Sequence, residues 1–326
     1  MISKIKQLMR DLKRKSSIYE SAYNCISRIK VFALRIIPDT PYVKYKYYTS
    51  FGKKLDLNSP KSFNEKIQWL KLYDHRDEYI TFVDKIEVKK YIDNILGPGH
   101  TIPTLGVWDD VNDIDLNLLP DQFVLKCNHD CGSVFVCRDK KTIDWEKVKR
   151  KISSSLKRNY YWGSREWPYK NVKPKVFAEQ YMKDSDSDQD SGITDYKFFV
   201  FNKKIKMLYV SRGLEKHTTA RISFYDLEGK ELPFHRKDYR PIGEPLALPR
   251  NYDEMLRICQ TLADAVNNDF VRVDLYSING NTYFSELTLY PCGTGIPFEP
   301  EEWDDKCGDL LTLTGIANNS KGRKWR

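Results

Sequence analysis

The sequence has no run of roughly 18 uncharged apolar residues, the length a helix needs to cross a bilayer. Its most apolar early stretch, Val31 to Ile37, is short and is broken by Arg35. A membrane span is therefore not expected, and no apolar core ending in small residues marks a signal peptide. Cysteine is sparse and odd in number, seven in 326 residues, which argues against a secreted disulfide framework and points to the cytosol. Cys127, His129, Cys131 and Cys137 lie close together but lack the paired spacing that closes a tetrahedral zinc site. Several nucleotide and catalytic signatures are also missing. There is no GxxxxGK[ST], GxSxG, HExxH or HRD, and Gly293-Thr294-Gly295 lacks the third glycine and following helix of a dinucleotide loop. If the chain handles nucleotide phosphates, it does so with another fold.

What is present suits a folded soluble core: 40% of residues are hydrophobic and 30% charged. The net charge of +9 belongs to the N-terminal segment, where residues 1–54 hold 13 Lys or Arg against 3 acids, and the rest is nearly balanced. Ile2, Ile5, Met9 and Leu12 recur there at helical spacing between basic residues. Tyr42, Tyr45, Tyr47 and Tyr48 follow. The pattern reads as a helix docked on its own core or as an arm, residues 1–40, on the anionic inner face of a membrane. Nucleic acid is not expected, because no binding motif accompanies the charge.

Further along, Asn58-Ser59-Pro60-Lys61-Ser62 announces a helix over 63–73, and a second helix is expected over 83–95, stopping at Gly97-Pro98-Gly99. Strands are expected at 105–108, at both ends of 122–139, at 176–181, 195–202 and 205–211, and helices at 145–158 and 252–267. Asp184 to Ser191 reads as an acidic loop and 221–250 as irregular. The fold class is α+β with antiparallel sheets.

The hairpin Phe270 to Leu289 turns at Asn279-Gly280-Asn281 and carries Asp274 on one strand and Glu286 on the other. Alternation puts Arg272 with Asp274, and Phe284, Glu286 and Thr288 together on the partner strand. Buried acids need a cation. Here it is either Arg272, in a structural ion pair, or magnesium, which takes one or two carboxylates plus phosphate oxygens. Lys126 ends an apolar strand beside the small-residue turn Asn128 to Ser133, an arrangement that suits phosphate. His129, in that turn, is either a hydrogen bonder or a catalytic base. Arg158 to Trp167 is rich in aromatic and guanidinium groups, and it is either packed on the sheet or a sugar and carboxylate site with Arg212, His217 and Arg221.

Six ordered blocks then resemble one family: SFNEKIQWLKLYD (62–74), DKIEVKKYI (84–92), LPDQFVLKCNHDCGS (119–133), KPKVFAEQYM (173–182), DYKFFVFN (195–202) and VRVDLYSINGNTYFSELTLYPCGTG (271–295). Together they resemble the TupA-like branch of the ATP-grasp superfamily, proteins found among bacterial cell-surface polysaccharide genes. The resemblance implies two α+β subdomains, 119–183 and 184–326, sandwiching ATP, after a helical region at 55–118 and the arm at 1–54. It implies ATP held by Lys85, Lys126, the Gly132-Ser133 lid, Glu179 near the base and Lys197, with Mg²⁺ on Asp274 and Glu286. Arg272, Lys197 and His129 would be catalytic. Thr288 would complete the metal site, standing where most of the superfamily has asparagine, whose amide oxygen is a stronger magnesium ligand than a threonine hydroxyl. The implied activity is a carboxylate–amine ligase working through an acyl phosphate and joining an amino acid to a uronic acid. A glycosyltransferase using a nucleotide sugar is the alternative. The expected location is the cytoplasm, on its inner membrane face if the arm binds lipid.

Overall fold

A computed structural model describes residues 34–185, 193–212, 220–291 and 295–315. The amphipathic pattern of residues 2–12, His217, Gly293-Thr294 and most of the acidic run 184–191 lie outside the described residues. Helix α1 (Asp39–Phe51) ends at Gly52, which takes the left-handed conformation at φ 68°. Helix α2 (Phe63–Tyr73) starts at Ser62 as the sequence predicts. The Ser62 hydroxyl accepts from the Glu65 N–H and the Glu65 carboxylate accepts from the Ser62 N–H, a reciprocal cap. The helix expected over 83–95 starts later, as α4 (Glu87–Leu96), and is preceded by a separate short helix, α3 (Glu78–Val83). Asp84 is the reason: its carboxylate accepts from the Ile86 and Glu87 N–H groups, which competes with continuing the first helix. Lys85 therefore sits in a break between helices.

Strands β1 (Thr104–Trp108), β2 (Phe123–Cys127), β3 (Val134–Cys137) and β4 (Val176–Gln180) form an antiparallel sheet in the order β1-β4-β2-β3. Helix α5 (Trp145–Leu156) covers one face, where Val148 and Ile152 join Phe123, Leu125, Val176 and Ala178 in a small core. Period-two alternation then sends Lys126 and Glu179 to the other face. A short helix, α6 (Tyr161–Ser164), and a 3-10 turn at Trp167–Lys170 lie between α5 and β4.

Strands β5 (Asp195–Phe201), β6 (Lys204–Arg212) and β7 (Arg221–Tyr225) open a second sheet, completed by β9 (Phe270–Ile278) and β10 (Asn281–Thr288) in the order β10-β9-β5-β6-β7. A two-residue strand β8 (His235–Arg236) pairs with β11 (Phe298–Glu299) apart from it. Residues 221–225 thus correct the irregular reading of 221–250. Ile222 and Phe224 are buried there and the segment pairs with β6, a tertiary contact that the proline-bearing remainder conceals. Helix α7 (Tyr252–Val266) buries Met255, Ile258 and Leu262 as the periodicity predicts, and α8 (Glu302–Asp309) packs against the start of α2. Both hairpin turns take positive φ, Asn202-Lys203 at 44° and 66° and Asn279-Gly280 at 51° and 76°, the geometry that matches strand twist.

The free face of the second sheet changes character along its length. At one end Phe201 and Phe270 stack around Phe63 of α2, with ring centroids 5.7 and 5.2 Å away. Two and four residues further along β9 come Arg272 and Asp274, so alternation carries the same face from an aromatic core to a charged patch. One expectation fails here. A bulge between Phe284 and Glu286 shifts the register, pairing Phe284 with Leu275 and Glu286 with Asp274. Phe284 therefore turns into the core, 4% exposed, away from Glu286 and Thr288.

Candidate active site

Cross-strand register assembles the patch. Asp274 pairs with Lys197 on one side and Glu286 on the other, Arg272 pairs with Thr288, and Lys197 pairs with Tyr209. Residues directly opposite share a face, so side chains from β5, β6, β9 and β10 converge. Asp274 is fully buried. The Arg272 guanidinium donates to both its oxygens, at 2.7 and 2.6 Å, and the Lys197 ammonium adds a third bond at 2.6 Å. The same guanidinium donates to the Thr288 hydroxyl at 2.8 Å and lies over the Tyr209 ring, 5.3 Å from its centroid.

Burial opposes charge on Asp274, but Arg272 and Lys197 outweigh it and hold its carboxyl below the usual range. Lys197 is raised: burial works against its charge, and Asp195 and Asp274 overcome that. Asp195 is a residue the sequence reading did not single out. It forms an ion pair with Lys197, and its Oδ1 is buried with no hydrogen-bond partner. Its signal was available, since Asp195 and Lys197 are two apart on one strand and so share a face.

On the first sheet Lys126 pairs with Glu179 at 2.5 Å, and Lys89 of α4 pairs with the same carboxylate. Lys89 was missed because nothing local links a helix residue to a strand 90 positions later. Burial pushes Glu179 up, but the two lysines prevail and its pKa is lowered. For Lys126 burial is again outweighed, here by Glu179, Tyr276 and Glu286, and its pKa is raised. Tyr276 and Glu286 belong to β9 and β10, so the Lys126 ammonium lies within electrostatic reach of the Asp274 patch. The two sheets present their charged faces to a common region.

The remaining expected residues sit around the turn after β2. Lys85 donates to the Asp130 carbonyl at 2.5 Å, and Asn128 ties the turn to Asp84 and Lys173. Gly132 takes φ 95°, a conformation that favours glycine. The Ser133 hydroxyl donates to the Asp130 carboxylate and lies 2.7 Å from Ser155 Oγ. His129 is 2% exposed, and its Nε2 lies 3.1 Å from the carbonyls of Ser155 and Arg158, so the ring caps the end of α5. The aromatic loop 158–167 packs inward. Arg165 is buried, donates to the carbonyls of Leu34 and Ile37, and stacks on Tyr42, 4.6 Å away. Arg212 pairs with Glu244, and Arg221 donates to the Pro241 carbonyl.

A family model described as TupA-like ATPgrasp matches residues 65–312. The chain belongs to the TupA-like ATP-grasp family. Solved structures similar to it include a D-alanine–D-alanine ligase from Bacillus anthracis, at 19% identity and TM-score 0.39, covering 74% of this chain and 63% of that one. Another is the D-alanine–D-alanine ligase from Helicobacter pylori, at 16% identity and TM-score 0.41, covering 79% and 69%. An L-amino acid ligase from Bacillus licheniformis, at 12% identity and TM-score 0.42, covers 76% and 52%. The chain thus spans less than two thirds of the Bacillus anthracis ligase. No curated protein matches it. These likenesses are distant, and ATP-grasp membership rests on the family match.

Proposed function

We propose that this ATP-grasp protein is an ATP-dependent carboxylate–amine ligase that joins an amino acid to a uronic acid or related sugar during assembly of a cell-surface polysaccharide. The observation that carries this reading is the single face on which Lys197, Arg272, Asp274, Glu286 and Thr288 stand in cross-strand register, with Lys126 in its field. A carboxylate is a poor electrophile. Phosphoryl transfer from ATP makes it an acyl phosphate, and attack by an amine expels phosphate and forms the amide. The site must neutralise phosphate charge and exclude water.

Lys85, Lys126 and the Gly132 turn hold the nucleotide phosphates in this reading, and Glu179 orders Lys126 and Lys89 near the base and ribose. Lys197 and Arg272 meet the transferred phosphoryl group. Residues 119–183 and 184–326 are then the two lobes that close on ATP. Asp274 and Glu286 face each other across β9 and β10, but both Asp274 oxygens already accept from Arg272 and Lys197, so a magnesium ion would rest chiefly on Glu286 and on phosphate oxygens, with Asp274 as its neighbouring carboxylate. When bound, the ion would supply charge neutralisation to the triphosphate. Thr288 is assigned to orienting Arg272, whose guanidinium its oxygen accepts.

Among the described residues no helix is long and apolar enough to cross a membrane. Ile36, within residues 1–40, is 70% exposed next to Arg35 in the sequence, which is compatible with residues 1–40 as an arm on an anionic membrane surface. Deleting that arm should lower liposome binding.

Thermal shift with ATP, ADP and UDP-sugars, each with and without Mg²⁺, tests the nucleotide. Stabilisation by ATP that needs Mg²⁺ and vanishes in Glu286→Gln is the expected result. A response to UDP-sugar alone would replace the ligase with a glycosyltransferase.

A further inference from the structure

The charged face carries one aromatic ring with no part in binding phosphate or metal. Tyr209 of β6 is 4% exposed and stands opposite Lys197 in register. Three cations surround its ring. The guanidinium carbons of Arg272 and Arg236 lie 5.3 and 6.0 Å from the ring centroid, and the Lys197 ammonium lies 5.9 Å from it. Arg272 also donates to the Tyr209 hydroxyl, at a long 3.4 Å. Arg236 comes from outside the five-stranded sheet, on β8. Phe234, two residues before it, explains how it arrives: its ring stacks on Phe224 at 4.3 Å, and Phe224 of β7 is the register partner of Tyr209, with their rings 5.5 Å apart. Asp238 then steadies the Arg236 guanidinium by accepting a forked pair of bonds, at 3.0 and 2.7 Å.

Each of the three cations has a carboxylate of its own: Lys197 has Asp195, Arg272 has Asp274 and Arg236 has Asp238. The ring is therefore not needed to neutralise them. What its negative face adds is location, because a cation held against a ring is restrained in the direction that a flat fork leaves loose. The fork to Asp274 fixes the Arg272 guanidinium within its own plane, and Tyr209 limits its tilt out of that plane. We propose that Tyr209 is a positioning residue for phosphoryl transfer, its ring setting where Arg272 and Lys197 meet the transferred group, and that Arg236 braces that ring from β8; this rests on the ligase reading above. Cations that meet charge developing in a transition state work only if they are already in place. A displacement of about 1 Å costs up to roughly 100-fold in rate. Loss of the ring thus falls on kcat rather than on nucleotide affinity.

The test measures ADP release by the full chain with ATP, Mg²⁺, hydroxylamine and a panel of uronic acids and amino acids, at a temperature where every variant is folded. Absence of acid-dependent ADP release from the wild type overturns the ligase reading and this inference together. Where the wild type turns over, Tyr209→Leu should lower kcat by about 10-fold or more, with the KM for ATP within about threefold of its original value. Tyr209→Phe, which keeps the ring and drops the hydroxyl, should recover most of that loss. Equal losses in the two variants, or a loss confined to KM, overturn the positioning assignment while leaving the ligase standing. Arg236→Gln is the second variant, and it removes the brace while the aromatic core stays in place. It should lower kcat by itself, and in a Tyr209→Leu background it should cost nothing further, because its effect runs through the ring. Losses that multiply in the double variant, or no loss from Arg236→Gln at all, refute the brace.

Discussion

Asp274→Asn is the sharpest probe of the site, because it keeps the side chain's size while removing the charge and one of its two acceptor oxygens. Asp274 is 0% exposed and accepts three bonds from two cations, Arg272 and Lys197, that are 7% and 8% exposed. Removing one partner of a buried ion pair costs about 3–5 kcal/mol, because the charge left behind is uncompensated. Lys197 keeps Asp195 and Arg272 keeps Thr288, which places the loss toward the lower end. A chain of this size loses roughly 2 °C of melting temperature per kcal/mol, so calorimetry should record a fall of about 6 °C. Replacing the pair by apolar groups, Arg272→Met with Asp274→Leu, should cost less than the sum of the single changes by at least about 1 kcal/mol. A drop under about 2 °C for Asp274→Asn, or additivity within about 0.5 kcal/mol in the cycle, would refute the claim that Asp274 compensates buried cations.

Glu179 makes a prediction about acid. Its folded pKa lies below the ordinary 4.5, so its stabilisation is complete above the unfolded value and is lost as pH falls through the lower folded one. The melting-temperature gap between wild type and Glu179→Gln should therefore be constant above pH 5.5 or so and close below about 4.5, and a gap that widens in acid would contradict the Lys126–Glu179–Lys89 assignment. Gly308→Ala tests the α8–α2 contact. A Cβ there would meet the backbone of Lys61, Ser62 and Phe63 closer than 3.0 Å, and backbone cannot yield as a side-chain tip can. The expected loss is about 1–3 kcal/mol by denaturant titration, and an unchanged midpoint would show that the helices separate freely.

Much of the fold and site was legible because the relevant physics is local. Asn58 to Ser62 marked the start of α2, Met255, Ile258 and Leu262 marked the buried side of α7, and Asn279-Gly280 marked a tight hairpin. Strand alternation alone put Arg272 with Asp274. That Asp274 and Glu286 face each other did not follow from the hairpin alone: unbroken register from the Asn279-Gly280 turn sets Asp274 opposite Ser285, and the bulge brings Glu286 there instead. It sends Phe284 to the opposite face, and a one-residue insertion leaves no mark in a period-two pattern. Asp84 likewise shortened an expected helix through a side-chain bond that competes with the backbone.

What the sequence by itself determined was the chemical inventory and its grouping along the chain: two acids and an arginine on one hairpin, a lysine at a strand end, a small-residue turn. These are contacts between near neighbours, dictated by a few torsions. Tertiary structure alone decided the partnerships across long separations. It brought Lys89 to Glu179 and Lys126 into the field of Glu286, because charge pairing depends on distance in space, and only the packing of α4 and the two sheets sets that distance.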